Sequence, residues 1–473
     1  MRGEVRVEGL TWRPLGRRAP VVDGLDLHVE AGSRVLLAGP SGAGKSTLLH
    51  ALVGALGTTL AGELDGSVQV DGRVGLVPQQ PGDAVVAERV GRDVAFGPEN
   101  VGLERDETWR RVDAALAAVG LRQGRDHPTA ALSGGELQRL ALAGVLALEP
   151  DVVLLDEPTS MLDPVHAAAV RDAVGRTVGG GRATLVVVEH HLEPWLDLVD
   201  RVVVLGSDGT VVADTTPDEF VRDHRDRLGA LGVWMPGLPA PRPIEVDPDL
   251  VRPEHPLPGM AAVDLTVQLR SRSLRGSTTT TALRGVDAAV AAGALTALTG
   301  PSGAGKSTLL AAIGGLVAAD GGSVTGLDPA LARRRSRDLA QDVGWSPQVP
   351  EHGFLAPTVA EEVALTAGRS GRRADAAAWL DIVGLGHLAG AHPYRLSGGE
   401  QRRLSVLAAV AHRPGLLLLD EPTVGQDRIT WAAVAGIAVA AAGAGAVVAT
   451  ATHDPLLVDL ADAVVALQAG VRA

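Results

Sequence analysis

Gly39-Pro40-Ser41-Gly42-Ala43-Gly44-Lys45-Ser46-Thr47-Leu48-Leu49 returns letter for letter as Gly300-Pro301-Ser302-Gly303-Ala304-Gly305-Lys306-Ser307-Thr308-Leu309-Leu310. The chain has 473 residues, and its 43 Lys and Arg residues include two lysines, one in each copy. Arginine serves as the cation everywhere else. The two retained lysines therefore mark positions that a guanidinium cannot fill. A compact ammonium fits inside a loop wrapped around phosphate, and a broad planar fork does not. The pattern G-x-x-x-x-G-K-[ST] is such a loop, and each copy follows an apolar strand-like run, Val35–Ala38 or Leu295–Leu298. Its backbone N–H groups, with the N-terminus of the helix it opens, cradle phosphate oxygens. On this reading Lys45 and Lys306 reach β/γ-phosphates, and Ser46 and Ser307 ligate Mg²⁺.

The repetition extends well beyond these loops. Leu-Ser-Gly-Gly-Glu occurs at Leu132–Glu136 and Leu396–Glu400, and Leu-Leu-Asp-Glu-Pro-Thr at Leu154–Thr159 and Leu418–Thr423. The offset between equivalent motifs is nearly constant, so whole domains are duplicated. Between the copies, eight prolines fall between Pro236 and Pro258. Such a stretch is expected to hold neither helix nor central strand and reads as an extended, semi-rigid tether. The expected division is a first domain at 1–230, a linker at 231–258 and a second domain at 259–473. Val152–Leu155 and Leu416–Leu419 are continuous apolar runs that end in acid. Strands apolar on both faces belong in a parallel sheet covered by helices. The expected fold is α/β, two tandem P-loop domains, each a mostly parallel sheet with helices.

Composition narrows the function. An apolar content of 46 % supports packed cores, although aromatics make up only 2 %. The formal net charge of −13 argues against a nucleic-acid partner, which calls for a basic footprint. Cysteine is absent, which removes disulfide frameworks, cysteine-bound zinc and iron–sulfur clusters. The opening MRGEVRVEGL carries charges and no apolar signal region. Trp431–Thr452 is uncharged and long enough to span a bilayer. Its Gly443-Ala444-Gly445 reads instead as a helix stop, giving a helix to about Ala442 and a buried strand Ala446–Ala451.

The acid pairs Asp156-Glu157 and Asp420-Glu421 end the buried strands. The first acid of each pair is placed for the Mg²⁺ shell, and the second for polarising an attacking water. Ser133-Gly134-Gly135-Glu136 and Ser397-Gly398-Gly399-Glu400 each open a helix, and such an N-terminus is a further anion site.

P-loop, LSGGE and LLDEPT together resemble the ATP-binding cassette (ABC) ATPases, over both halves of the chain. The resemblance implies ATP and Mg²⁺ as cofactors and a helical subdomain carrying each signature. It also implies two composite sites formed head to tail, Lys45 with Ser397 and Lys306 with Ser133. Gln79 and Gln348 match the family's Q-loop glutamine, which touches Mg²⁺ and senses a membrane partner. His190 and His453 match its switch histidine near the γ-phosphate, and Asp163 and Asp427 its D-loop aspartate. Trp12 matches the aromatic that stacks on adenine, whereas no aromatic lies between Met260 and Lys306. The expected catalytic residues are thus Glu157, Glu421, His190 and His453.

Which branch of the family follows from what surrounds the motifs. Ribosome-associated members carry a long charged arm between domains, and repair or recycling members carry cysteine-bound metal. This chain has a proline-rich linker and no cysteine. Fused sugar-importer ATPases are the other alternative, but their halves differ in motif quality. RDVAFGPENVG at Arg92–Gly102, PEHGFLAPTVAEEVAL from Pro350 and Gly425-Gln426-Asp427 resemble ATPase subunits of energy-coupling factor importers. That implies a transmembrane coupling subunit and a substrate-binding membrane subunit as partners, uptake of a vitamin or metal ion, and location at the cytoplasmic face of the membrane.

Overall fold

A computed structural model describes residues 3–17, 19–160, 162–273, 276–327 and 330–473. The chain forms two compact units, residues 1–239 and 240–473. In the first, a six-stranded sheet runs Val74–Val77, Val152–Asp156, Thr184–Val188, Arg34–Ala38, Arg201–Leu205, Val211–Thr215. The first five are parallel and the last is antiparallel. The second unit repeats the order with Val343–Ser346, Leu416–Asp420, Val447–Ala451, Ala294–Thr299, Ala463–Gln468 and Val471–Arg472. The strands Val152–Asp156, Thr184–Val188, Leu416–Asp420 and Val447–Ala451 are buried at every position. This is the two-sided burial that their unbroken apolar sequence requires.

Each unit adds a three-stranded antiparallel sheet. It joins Val5–Pro14 to Val22–Val29 and Gly62–Val70 in the first, and Met260–Ser273 to Gly276–Val290 and Gly321–Thr325 in the second. The region that carries the signature is helical, with Val90–Asn100, Arg105–Ala118 and Gly134–Leu148 in one unit. Its counterparts are Val359–Arg369, Ala376–Ile382 and Gly398–Val410.

Two expectations change. The proline-rich stretch does hold a helix, the single turn Pro248–Val251 capped by Asp247. Pro248 sits at the first helical position, where a missing N–H is no loss. From Ile244 to Leu257 the stretch is also docked on the second unit. The Ile244 N–H donates to the Ala432 carbonyl at 3.0 Å and the Glu254 N–H to that of Arg413 at 3.1 Å. Arg413 also pairs with the Glu254 carboxylate, and Val246, Val251 and Leu257 are buried. Gly436 admits this strap: a Cβ there would lie 2.4 Å from the Ile244 carbonyl oxygen. The uncharged segment Trp431–Thr452 resolves into the helix Arg428–Gly443, a turn, and the strand Val447–Ala451. Among the described residues no helix is long and apolar enough to cross a membrane.

Candidate active site

Both glycine loops pass from the end of a central parallel strand into a helix whose first residue is the lysine, Lys45–Leu52 or Lys306–Ile313. Gly39 and Gly300 turn the chain there at φ 149° and 136°. A Cβ would lie 2.5 Å from the Leu205 carbonyl oxygen at the first and 2.1 Å from that of Leu467 at the second. No side chain fits so close to neighbouring backbone. The Lys45 ammonium donates to the carbonyls of Gly39 at 2.8 Å and Pro40 at 2.9 Å. Lys306 repeats this on Gly300 at 2.8 Å and Pro301 at 3.3 Å. Each ammonium is thus held at the mouth of its own loop.

The acids arrive from the next strand but one: Thr184–Val188 separates Val152–Asp156 from Arg34–Ala38, and Val447–Ala451 separates Leu416–Asp420 from Ala294–Thr299. Burial pushes Asp156 up to about 7, with the charge of Glu157 adding to it, and Asp420 up to about 6. The hydroxyls of Ser46 and Ser307 bond to these two carboxylates. One oxygen of each, Oδ1, is buried and has no hydrogen-bond partner among the described residues. Carboxylate, hydroxyl and amide oxygens are the hard donors that Mg²⁺ takes, and a cation would satisfy the orphaned atoms. The residues present therefore fit the metal.

Glu157 and Glu421 lie in the left-handed region, φ 49° and 51°. Such backbone is strained for a non-glycine residue and persists where the surroundings over-determine it. Here the N–H of Glu157 donates to the Val188 carbonyl, and that of Glu421 to the Ala451 carbonyl, both at 2.9 Å. The strained turn aims each carboxylate at the histidine ending the adjacent strand. Glu157 Oε1 lies 3.2 Å from His190 Nε2, and Glu421 Oε2 lies 3.0 Å from His453 Nδ1. Burial pushes Glu157 up, but the imidazole, Lys45 and a bond from Gln79 outweigh it and hold the carboxyl below its ordinary range. His453, Lys306 and the His453 backbone do the same for Glu421, also against burial. Burial lowers His453, yet Glu421 beside it leaves the imidazole more basic than usual.

The structure thus brings together Lys45, Ser46, Gln79, Asp156, Glu157 and His190, and in the second unit Lys306, Ser307, Asp420, Glu421 and His453. For Gln348 the bond shown is at the backbone, where its carbonyl accepts from Arg402 at 2.8 Å. The signature and D-loop residues serve locally as helix caps. The Ser133 N–H donates to Glu136 at 2.8 Å and the Ser397 N–H to Glu400 at 2.7 Å. Asp163 caps Pro164–Val178 and Asp427 caps Arg428–Gly443.

Trp12 requires a correction. It is 3 % exposed, and its ring lies against Gly62, where an added Cβ would come within 2.6 Å of Cζ2 and Cη2. It offers adenine no open face. The reason is a register shift: pairing with Val22–Val29 slips between Val7 and Leu10. The inward set becomes Val5, Val7, Leu10 and Trp12. A residue that sequence reading passed over, Glu189, is buried directly before His190. Its signal was an acid closing an otherwise apolar run. His191, on the other side, is exposed, with its ring 5.1 Å from that of Trp234.

The sheet order, the two glycine loops and the paired acids define P-loop ATPase domains of the ABC class. The family model for ABC transporters matches residues 22–160 and 283–424. A Streptomyces avermitilis protein bearing the name ABC transporter ATP-binding protein is 35 % identical across 98 % of this chain and 92 % of its own length. A Streptomyces coelicolor protein of the same designation, SCO2324, is 36 % identical over the same shares. The Bacillus subtilis protein YkoD, named for HMP/thiamine import, is 30 % identical over 98 % of this chain and 89 % of its own. The chain belongs to the ABC transporter ATP-binding family, with two such domains in tandem. It is an ATP-binding ATPase, the motor part of a transporter.

Proposed function

We propose that the chain drives uptake as the ATPase subunit of an energy-coupling factor type importer, moving a vitamin or metal ion through separate membrane subunits. The observation that carries this is the completeness of both sites: each has its lysine, hydroxyl, acid pair in a strained turn, and histidine. Full-length similarity to a protein named for HMP/thiamine import supports the direction of transport. It also makes a thiamine precursor the first substrate to test.

Within each site the chemistry is divided among this chain's own residues. The P-loop amides and Lys45 or Lys306 hold the β/γ-phosphates. Ser46, Gln79 and Asp156, or Ser307, Gln348 and Asp420, hold Mg²⁺, which neutralises phosphate charge when bound. Glu157 and Glu421, kept ionised by their surroundings, orient and polarise the attacking water. His190 and His453 face the γ-phosphate. The two domains pair within the chain, each signature serine serving the other's nucleotide, so that ATP closes the pair and hydrolysis releases it. The partners are a transmembrane coupling subunit and a substrate-binding membrane subunit. The motor sits peripherally on the cytoplasmic face, without nucleic acid or higher oligomer.

The docking segments proposed are those after Gln79 and Gln348. The N–H groups of Val86 and Ala87 donate to Asp93 at 2.8 and 2.9 Å, and those of Leu355 and Ala356 to Glu362 at 2.8 and 2.6 Å. Each acid thereby fixes a turn that presents an exposed aliphatic residue, Val86 or Leu355. Purification of the tagged chain from membranes should recover a multi-span protein. Charge reversal at Arg92 should weaken that association and leave ATP binding intact. Recovery with ribosomes and never with membranes would overturn the reading.

A further inference from the structure

The acids beside the two site histidines lie on opposite sides of them. The first unit reads Glu189-His190-His191, and the second Thr452-His453-Asp454. Yet both acids reach the same threonine, the last residue of Asp-Glu-Pro-Thr. Glu189 Oε1 accepts from the Thr159 N–H at 2.9 Å and from its hydroxyl, and Oε2 accepts from the His190 N–H at 3.3 Å. Asp454 Oδ2 accepts from the Thr423 hydroxyl at 2.7 Å and from Trp431 Nε1 at 2.6 Å, and Oδ1 accepts from the Leu456 N–H at 3.0 Å. The residues around each acid have changed with it. Thr452, at the place of Glu189, accepts the N–H of Asp454 at 3.0 Å. His191, at the place of Asp454, turns outward to Trp234.

Thr159 lies inside the turn that begins at Glu157, where the Ser160 N–H and hydroxyl both donate to the Glu157 carbonyl, at 3.3 and 3.1 Å. A buried carboxyl is tolerated only when its oxygens are bonded. The bonds of Glu189 all go to the two segments that bear Glu157 and His190. Glutamate, one methylene longer than aspartate, spans from before the histidine the gap that Asp454 spans from after it.

We propose that Glu189 is a positioning residue of the first ATP site: it clamps the Glu157 turn to the His190 segment, the task Asp454 performs in the second. The inference rests on reading Glu157 and His190 as the hydrolytic pair, and it makes the two sites equivalent in geometry but different in chemistry. The aspartate of the second site is only partly buried and also holds an indole N–H. The carboxyl of the first is fully enclosed, and burial pushes it up to about 8, with Glu157 as the charged group that faces it and His190 bonded to it through the backbone.

The test is ATP turnover by the purified full chain with Mg²⁺, across pH, for Glu189→Thr, Glu189→Thr/His191→Asp, Glu189→Gln and Glu157→Gln. The first should lower kcat about twofold if the two sites act independently, and further if each needs the other, with KM little changed. A misplaced reacting group loses rate rather than binding. The double variant places threonine and aspartate as in the second site, with Ala167 where that site has Trp431. It should recover most of the lost turnover through the bond to Thr159. Turnover of the unsubstituted chain should fall as pH rises through about 8, where Glu189 ionises beside Glu157. Glu189→Gln should lack that fall, a change that a merely structural residue would not produce. If Glu189→Thr does not fold, the Glu189→Gln pH profile decides. Unchanged kcat in Glu189→Thr, no rescue in the double variant, or an unchanged alkaline limb in Glu189→Gln would overturn the proposal. If Glu157→Gln lowers turnover while the Glu189 variants do not, only this inference falls. If Glu157→Gln is also silent, the reading of the first site falls with it.

Discussion

The helices that follow the two acid pairs occupy equivalent places in the repeat and are both rich in alanine and valine, yet they differ sharply in charge. Pro164–Val178 carries His166, Arg171, Asp172 and Arg176, with Asp172 and Arg176 exposed to water. Arg428–Gly443 carries no charge after its first residue, and most of it is buried. The difference is the strap: Ile244 and the turn at Pro248 cover the second helix, and position 436 is glycine where the first unit has Asp172. The residues around phosphate are repeated with little change. The residues that brace and cover them have diverged. A duplicated domain is constrained at its chemistry and free in how it supports that chemistry.

The sharpest way to break this comparison is to remove both water-orienting acids. Glu157→Gln and Glu421→Gln should each lower ATP turnover, and together reduce it by at least about 100-fold, the scale of lost general-base catalysis. If Glu421→Gln alone leaves the rate unchanged, the shared framework is not shared function. Next in size is Trp12→Ala. The ring fills the core of the first unit, so its loss should destabilise that unit by about 3–5 kcal/mol, read by denaturant unfolding. Nucleotide affinity of the folded protein should hold. Val267→Ala, at the corresponding strand position of the second unit, should destabilise less. A selective fall in affinity without loss of stability would return Trp12 to the base-stacking role.

A smaller effect is expected from the strap. Gly436→Val forces side-chain atoms into the Ile244 backbone and should destabilise the second unit by about 1–3 kcal/mol, as overpacking does. Asp172→Val, on the exposed face of the first, should stay within about 0.5 kcal/mol. The smallest concerns acid. His412 is enclosed in the second unit, and burial, with Arg372 nearby, lowers it to about 4. The unfolded chain binds its proton near pH 6.5 and the folded one does not. Its contribution to stability is therefore complete above about 6.5 and drains as pH falls toward 4. Leu148 stands at the same place in the first unit. His412→Leu should flatten the acid limb of the second unit's unfolding, and an unchanged limb would assign it to other groups.

Much of this was legible in the sequence because phosphate chemistry tolerates few residues. The two lysines, the acid pairs and the strand-ending histidines all lie where their motifs place them, on a parallel sheet whose strands announce themselves as unbroken apolar runs. What could not be read depends on geometry between distant segments. The inward turn of Trp12 comes from a slip in pairing between Val7 and Leu10, marked in the sequence only by Gly9 within the strand. The apolar character of Trp431–Thr452 looked like a property of that segment. It has two sources: the strand Val447–Ala451 is buried within the sheet, and the helix before it is covered at Ala432 and Gly436 by a strap some way upstream. Glu189 and Asp454 lie on opposite sides of a histidine, and only their common bond to a threonine shows that they correspond.

The docked strap also sets an order of events during synthesis. Every residue of the first unit has been made once the chain reaches Pro239, and that unit can fold while the rest is still being translated. Residues 244–257 come next, but their seats at Arg413, Ala432 and Gly436 lie far downstream and are made later. Until then Val246, Val251 and Leu257 have nothing to cover. The prolines that space them keep the waiting segment from pairing as a strand with the wrong neighbour.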